Sequence, residues 1–162
     1  MSEDVVLLAV DDRGVATITL NRPTVNNAYN GDVIAGMTAC VGQAAADPTV
    51  RVLVLRANGR HFQAGADLKW LKEIGQLSAA ENVDVSRNTY NSVQGLTTVM
   101  KPTVALVQGG CFGGGTGILA ACDVVIASED AIFAITEARW GVMAGIIVPH
   151  LNAAIGPRNL RR

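Results

Sequence analysis

Two stretches of the sequence place glycine and small residues directly after an apolar β-type run. His61-Phe62-Gln63-Ala64-Gly65-Ala66-Asp67 follows Val50–Leu55, and Cys111-Phe112-Gly113-Gly114-Gly115 follows Thr103–Val107. Each then enters a segment that reads as a helix. A strand feeding glycines into a helix start leaves backbone N–H groups without intrahelical acceptors, and the helix dipole adds partial positive charge there. Glycine also lets a ligand approach the backbone closely, because no Cβ stands in the way. Such a turn suits an anion or a developing oxyanion. It serves equally well as a tight strand-to-helix connection with no ligand. If the two strands are neighbours, the N–H groups of Ala66 and Gly114 converge on one oxygen. A preorganised donor of this kind stabilises a carbonyl becoming an enolate by about 3 kcal/mol.

An enolate needs a group beside it that gives or takes a proton. Glu137 is the candidate: it follows the apolar run Ala131–Thr136 and precedes Trp140-Gly141. A carboxyl among apolar residues is suited to general acid–base work, although a surface glutamate at a helix start has the same sequence signature. Asp67 reads first as an N-cap that steadies its loop. Asp123 reads as a turn residue opening a strand, His61 as a loop or surface histidine, and Phe62 as a packing residue behind the first loop. Trp140 reads as core, with pocket lining as the alternative. Arg13, Arg22 and Lys69 read as solvated charges, with phosphate contact as the alternative.

The elements that must position these residues alternate strand and helix, an α/β pattern. Val5–Val10 and Val15–Leu20 flank the turn Asp11-Asp12-Arg13-Gly14 and read as a hairpin. Asp32 is a plausible N-cap for a helix carrying Val33, Ile34, Met37, Val41 and Ala44 at helical spacing and ending at Asp47-Pro48. Val50–Leu55 reads as a strand buried on both faces, and strand–helix–strand implies a parallel crossover. Asp67–Ile74 reads as a short helix with Leu68, Leu71 and Ile74 on one face. Ser78 with Glu81 forms a capping box for a longer helix reaching about Met100. Asp123–Ala127 and Ala131–Ile135 read as strands. Ile146–Ile155 reads as a helix ended by Gly156-Pro157, and the last residues look like the first turn of another helix, as in a piece of a longer chain.

Composition narrows the class. The chain has 162 residues, is 49% apolar and carries a net charge of −1 with both signs interspersed. One domain with a real core fits that length. No basic stripe calls for nucleic acid, and no run is long and apolar enough for a bilayer. The N-terminus is acidic where a signal peptide would be basic, so a cytoplasmic protein is expected. Cys40, Cys111 and Cys122 form no CxxC pair, and His61 and His150 show no metal-type spacing, so neither a disulfide framework nor a metal site is expected.

Taken in order, these residues resemble the crotonase family, the enoyl-CoA hydratase/isomerase superfamily. The resemblance runs from Asn21-Arg22-Pro23 and Asn27-Ala28, through Phe62-Gln63-Ala64-Gly65-Ala66-Asp67-Leu68, Lys101-Pro102, Val107-Gln108-Gly109 and Gly113-Gly114-Gly115, to Ala121-Cys122-Asp123, Phe133 and Glu137. It implies a spiral of ββα turns and an acyl-CoA thioester whose oxygen lies between the N–H groups of Ala66 and Gly114. It implies a substrate-binding set of Ala28, Ala64, Ala66, Asp67, Leu68, Gly114, Gly117 and Thr136. It implies no separate cofactor, since coenzyme A is part of the substrate, and homotrimers often paired into hexamers.

The resemblance carries two departures. Family hydratases of the best-known type hold a water between two glutamates; one position matches Glu137, and the other is Gly117 here. Family members also continue well beyond this point, so the C-terminal helical part is expected to be missing. Phe133–Arg162 looks most like the methylglutaconyl-CoA and isohexenylglutaconyl-CoA hydratase branch, which implies hydration of a branched or carboxylated enoyl-CoA. Double-bond isomerisation by a single glutamate is the alternative within the family. Acyl-CoA binding without turnover is the alternative outside enzymology.

Overall fold

The computed structural model describes residues 4–161. β1 (Val6–Val10) and β2 (Val15–Leu20) form an antiparallel hairpin with Val6 opposite Leu20. The turn is fixed by the Asp11 carboxylate, which accepts from the N–H groups of Arg13 and Val15 at 3.0 and 2.9 Å. Gly14 supplies the left-handed backbone at φ +79° that this turn needs.

α1 (Gly31–Ala46) buries Val33, Ile34, Met37, Cys40, Val41 and Ala44, the helical stripe expected from the spacing. Its N-cap is Asn30 rather than Asp32. The backbone is still extended at Asn30, whose side chain accepts from Val33 N–H, while Asp32 already lies in the first turn. There its negative charge faces the positive end of the helix dipole.

β3 (Val52–Ala57) runs parallel to β2, as the crossover requires. It is not buried on both faces. Leu53, Leu55 and Ala57 are buried, Val52 and Val54 are half-buried, and Arg56 is exposed. Alternation means that one face meets the core while the other is only partly covered. α2 (Leu68–Ile74) and α3 (Ala79–Thr98) follow, α3 opening with the expected Ser78–Glu81 capping box.

β4 (Thr103–Val107) pairs parallel with β3 and leads to β5 (Gly110–Phe112), a short strand not distinguished in the sequence from the glycine turn. Three residues are too few to show a period. α4 (Gly114–Ala120) follows, then β6 (Val124–Ala127) parallel to β4 and β7 (Ile132–Ala134) parallel to β5. A 3₁₀ turn spans Glu137–Trp140, and α5 spans Val148–Leu160. Gly156, at φ +74° and ψ 161°, breaks α5 where Gly-Pro was expected to end a helix, and a second helical piece resumes after it.

The larger sheet has the order β1-β2-β3-β4-β6, and β5-β7 form a second layer that Gln63 joins through a bridge to Cys111. From β3 on, each large-sheet strand hands the chain to a short extended piece in the second layer and then to helix. β3 leads through Gln63 to α2 and α3, β4 through β5 to α4, and β6 through β7 to the 3₁₀ turn and α5. This is a repeating ββα unit, as the resemblance implied. The core joins Ile18, Leu20, Leu53, Leu55 and Ala105 of the sheet to Met37 of α1, Leu96 of α3 and Ile118 of α4. Phe62, fully buried behind the first loop, is part of it. Burying such a ring is worth about 3 kcal/mol.

Candidate functional site

Parallel pairing of β3 and β4 puts both glycine loops at the same edge of the sheet. Between them lies a cavity of about 480 Å³ whose lining includes Ala64, Ala66, Leu68, Gly114, Thr136 and Glu137. Those six belong to the expected site. Of the other three, Ala28 lies in the loop before α1, Asp67 caps α2, and Gly117 lies within α4; none of them lines this cavity.

The candidate donors are set by backbone pairing. Tyr29 N–H donates to Gly65 O and Tyr29 O accepts from Asp67 N–H, both at 2.9 Å, a parallel bridge centred on Ala66. In that geometry the N–H of Ala66 points to the opposite side of the strand. Gly114 is the first residue of α4, so its N–H has no intrahelical acceptor. The preceding N–H, of Gly113, is already used by Ala134 O at 2.9 Å.

The triple glycine is explained by the side chains packed on it. A Cβ at Gly113 would lie 2.7 Å from Glu137 Oε1, one at Gly114 would lie 2.5 Å from Cε1 of Tyr29, and one at Gly115 would lie 2.9 Å from Gln63 Oε1. Each glycine makes room for a different polar side chain. Glu137 opens the 3₁₀ turn after β7, so strand pairing between β7 and β5 brings it back over the glycines. It is not a surface glutamate: the residue is half-buried, and its Oε2 is buried with no hydrogen-bond partner among the described residues. Tyr29 stacks edge-on against Trp70 at 5.7 Å between ring centres. Burial, and then the charge of Glu137, push its phenol up to about 12.

Position 117 is closed. A Cβ there would lie 2.6 Å from Cβ of Ile147, which is itself 3% exposed. The stretch Val142–Ile147 thus supplies an apolar wall where a second carboxylate would stand. Tyr29, Trp70 and Ile147 are site residues that spacing did not single out. An aromatic in a loop and an isoleucine before a helix carry no local signal for a cavity assembled from five separate segments.

The other charged residues singled out above lie outside the cavity lining. Asp67 caps α2 and pairs with Arg22 at 3.1 Å. Burial raises its carboxyl pKa, but the N–H groups of Lys69 and Trp70 and the Arg22 guanidinium outweigh that and hold it below the usual range. Arg13 pairs with Asp11, and Lys69 is exposed. His61 Nδ1 accepts from Gly110 N–H at 2.8 Å, and Asp123 accepts from Thr103 N–H at 2.8 Å, so both brace the fold. Buried Asn27 donates to Asn58 O and His61 O, tying the loop before α1 to the first glycine loop. The side chain of Trp140 lies outside the described residues. Among the described residues, no group of His, Cys, Asp and Glu could hold a metal ion, and no helix is long and apolar enough to cross a membrane.

Residues 11–162 match the enoyl-CoA hydratase/isomerase family. The chain is 34% identical over 139 residues to 2,3-dehydroadipyl-CoA hydratase of Escherichia coli K12, covering 86% of this chain and 52% of that protein. It is 31% identical over 158 residues to the peroxisomal Δ(3,5)-Δ(2,4)-dienoyl-CoA isomerase of Arabidopsis thaliana, covering 91% and 57%. Among solved structures, an enoyl-CoA hydratase from Shewanella pealeana superposes with a TM-score of 0.94 at 31% identity, over 98% of this chain and 59% of the other. The chain therefore spans between half and two thirds of the length of these relatives, and over that span it has a crotonase-like α/β fold. It belongs to the enoyl-CoA hydratase/isomerase family.

Proposed function

We propose that the cavity binds an enoyl-CoA thioester and hydrates it, with Ala66 and Gly114 as oxyanion donors and Glu137 as the proton-transfer group. The observation that carries this reading is the buried Oε2 of Glu137, without a partner among the described residues, in the same cavity as Ala66 and Gly114, whose N–H groups have no intrahelical or ladder acceptor there. In this reading the water oxygen bonds to C3 of the enoyl group as its proton passes to Glu137. The C2=C3 electron pair moves toward the thioester, whose oxygen becomes an enolate held by the two N–H groups. Glu137 then returns the proton to C2. Coenzyme A enters with the substrate, and no further cofactor takes part.

A second reading is double-bond isomerisation, in which Glu137 moves a proton between carbons. Closure of position 117 by Ile147 favours it, because a water then lacks a second carboxylate to hold it. For the acyl group we propose a branched enoyl chain. The cavity wall is built largely of aliphatic side chains such as Val33, Ile34, Met37 and Ile118, and among the described residues no Lys, Arg or His lines it to pair with a terminal carboxylate. The family resemblance also supports a trimeric or hexameric assembly.

The test is turnover of a small panel of esters, including crotonyl-CoA and 3-methylglutaconyl-CoA, with products identified by mass. Hydration adds the mass of water. Isomerisation leaves the mass unchanged and moves the double bond. A folded chain that binds the esters and turns over none would replace both readings with acyl-CoA binding alone.

A further inference from the structure

Gln63 sits between the two loops that carry the donor N–H groups. Its backbone belongs to the loop that ends in Ala66, and it ties that loop to the strand entering the glycine turn. Gln63 N–H donates to Gly110 O at 3.2 Å, and Gln63 O accepts from Phe112 N–H at 2.8 Å. The side chain is wholly buried under the first turn of α4. A Cβ added at Gly115 would meet its Oε1 at 2.9 Å and its Cβ at 3.1 Å, so the glycine is what lets the two segments close to this distance.

Among the described residues, neither carboxamide atom of Gln63 has a hydrogen-bond partner. Burying an amide unpartnered is costly, and an apolar side chain of the same length would escape that cost. Gln63 also lines the cavity, and between the two loops themselves what it supplies is length and volume.

We propose that Gln63 is a positioning residue, a spacer wedged between the His61–Asp67 loop and the first turn of α4 that sets the separation of the Ala66 and Gly114 N–H groups. The proposal rests on the acyl-CoA reading above and adds the element that holds its two donors in register. Truncation to alanine leaves a void that the loops can close, and an error of an ångström between donors weakens oxyanion stabilisation more than it weakens ester binding.

The test uses butyryl-CoA labelled with heavy carbon at the thioester carbonyl. Its carbonyl stretch is read by difference infrared spectroscopy when bound to the parent chain, Gln63→Ala and Gln63→Met. Bound to the parent chain, the stretch shifts to lower frequency. Gln63→Ala loses most of that shift and about tenfold to a hundredfold in kcat, with a much smaller change in the Kd for butyryl-CoA. Gln63→Met, which keeps the length and drops the amide, retains the shift and melts at the same or a higher temperature. A full shift in Gln63→Ala, or a lost shift in a folded Gln63→Met, overturns the spacer role and leaves the acyl-CoA reading standing. If Gln63→Ala does not fold, the methionine variant decides. No shift in the parent chain overturns the oxyanion reading, and the spacer role with it.

Discussion

Oε1 of Glu137 lies 2.7 Å from where a Cβ on Gly113 would stand. The carboxylate occupies space that every other residue type would fill, and Gly113 also holds a backbone φ of +51° that favours glycine. Gly113→Ala is therefore expected to push the carboxylate out of place while leaving residue 137 chemically intact. The expected result is a fall in kcat of about tenfold to a hundredfold, from misplacement alone. Steady-state kinetics on the folded variant checks it.

Gly114 offers a cleaner way to delete an oxyanion donor than its neighbours do. As the first residue of α4 it is a position where proline is tolerated, since the missing N–H has no intrahelical acceptor. The Tyr29 ring stands 2.5 Å from its Cβ position, so Gly114→Pro alone would disturb packing as well. Measured in a Tyr29→Ala background, adding Gly114→Pro is expected to cost about a hundredfold or more in kcat. Turnover unchanged by the added substitution would remove Gly114 from the oxyanion role.

At Gly117 the sign of a stability change is diagnostic. A glycine-to-alanine change inside a helix ordinarily stabilises by up to about 1 kcal/mol. Here the added Cβ collides with Ile147, and overpacking of a core typically costs about 1–3 kcal/mol. Gly117→Ala is expected to lower the urea midpoint, and Ile147→Ala in the same chain to recover part of the loss. An alanine variant more stable than the parent would mean that position 117 is open.

His150 gives a pH dependence. It is 5% exposed, packs against Tyr90 at 5.4 Å between ring centres, and leaves Nε2 without a partner among the described residues. Burial lowers its pKa, so the unfolded state takes up the proton first. Stability is then unaffected well above the unfolded value of about 6.5 and falls as pH drops below it. In His150→Phe that part of the acid destabilisation is expected to vanish, as read from melting temperature between about pH 7 and pH 5.5.

The sequence made the repeating parts of the fold legible. The α1 stripe, the Ser78–Glu81 capping box and the strands β2 and β4 follow from local spacing and turn chemistry alone. That the two glycine loops open on one cavity was also readable, because the strands before them are parallel neighbours. Asn30 displaced Asp32 as N-cap because both residue types can cap and only the backbone path decides between them. β5 was hidden because three residues show no period, and its partner β7 lies some twenty residues on. The burial of Oε2 of Glu137, the closing of position 117 by Ile147 and the packing of Tyr29 on Gly114 are long-range contacts. No local pattern encodes them.

Proton transfer by Glu137 to an ester held by Ala66 and Gly114 is tested most directly by Glu137→Gln. The parent chain and the variant are each incubated with a turned-over enoyl-CoA ester in water labelled with heavy oxygen, and the products are weighed. The parent chain is expected to give a product, which gains one labelled water if the reaction is hydration. Glu137→Gln is expected to lose nearly all turnover, with ester binding retained. A Glu137→Gln variant that turns the ester over as fast as the parent would contradict proton transfer by Glu137.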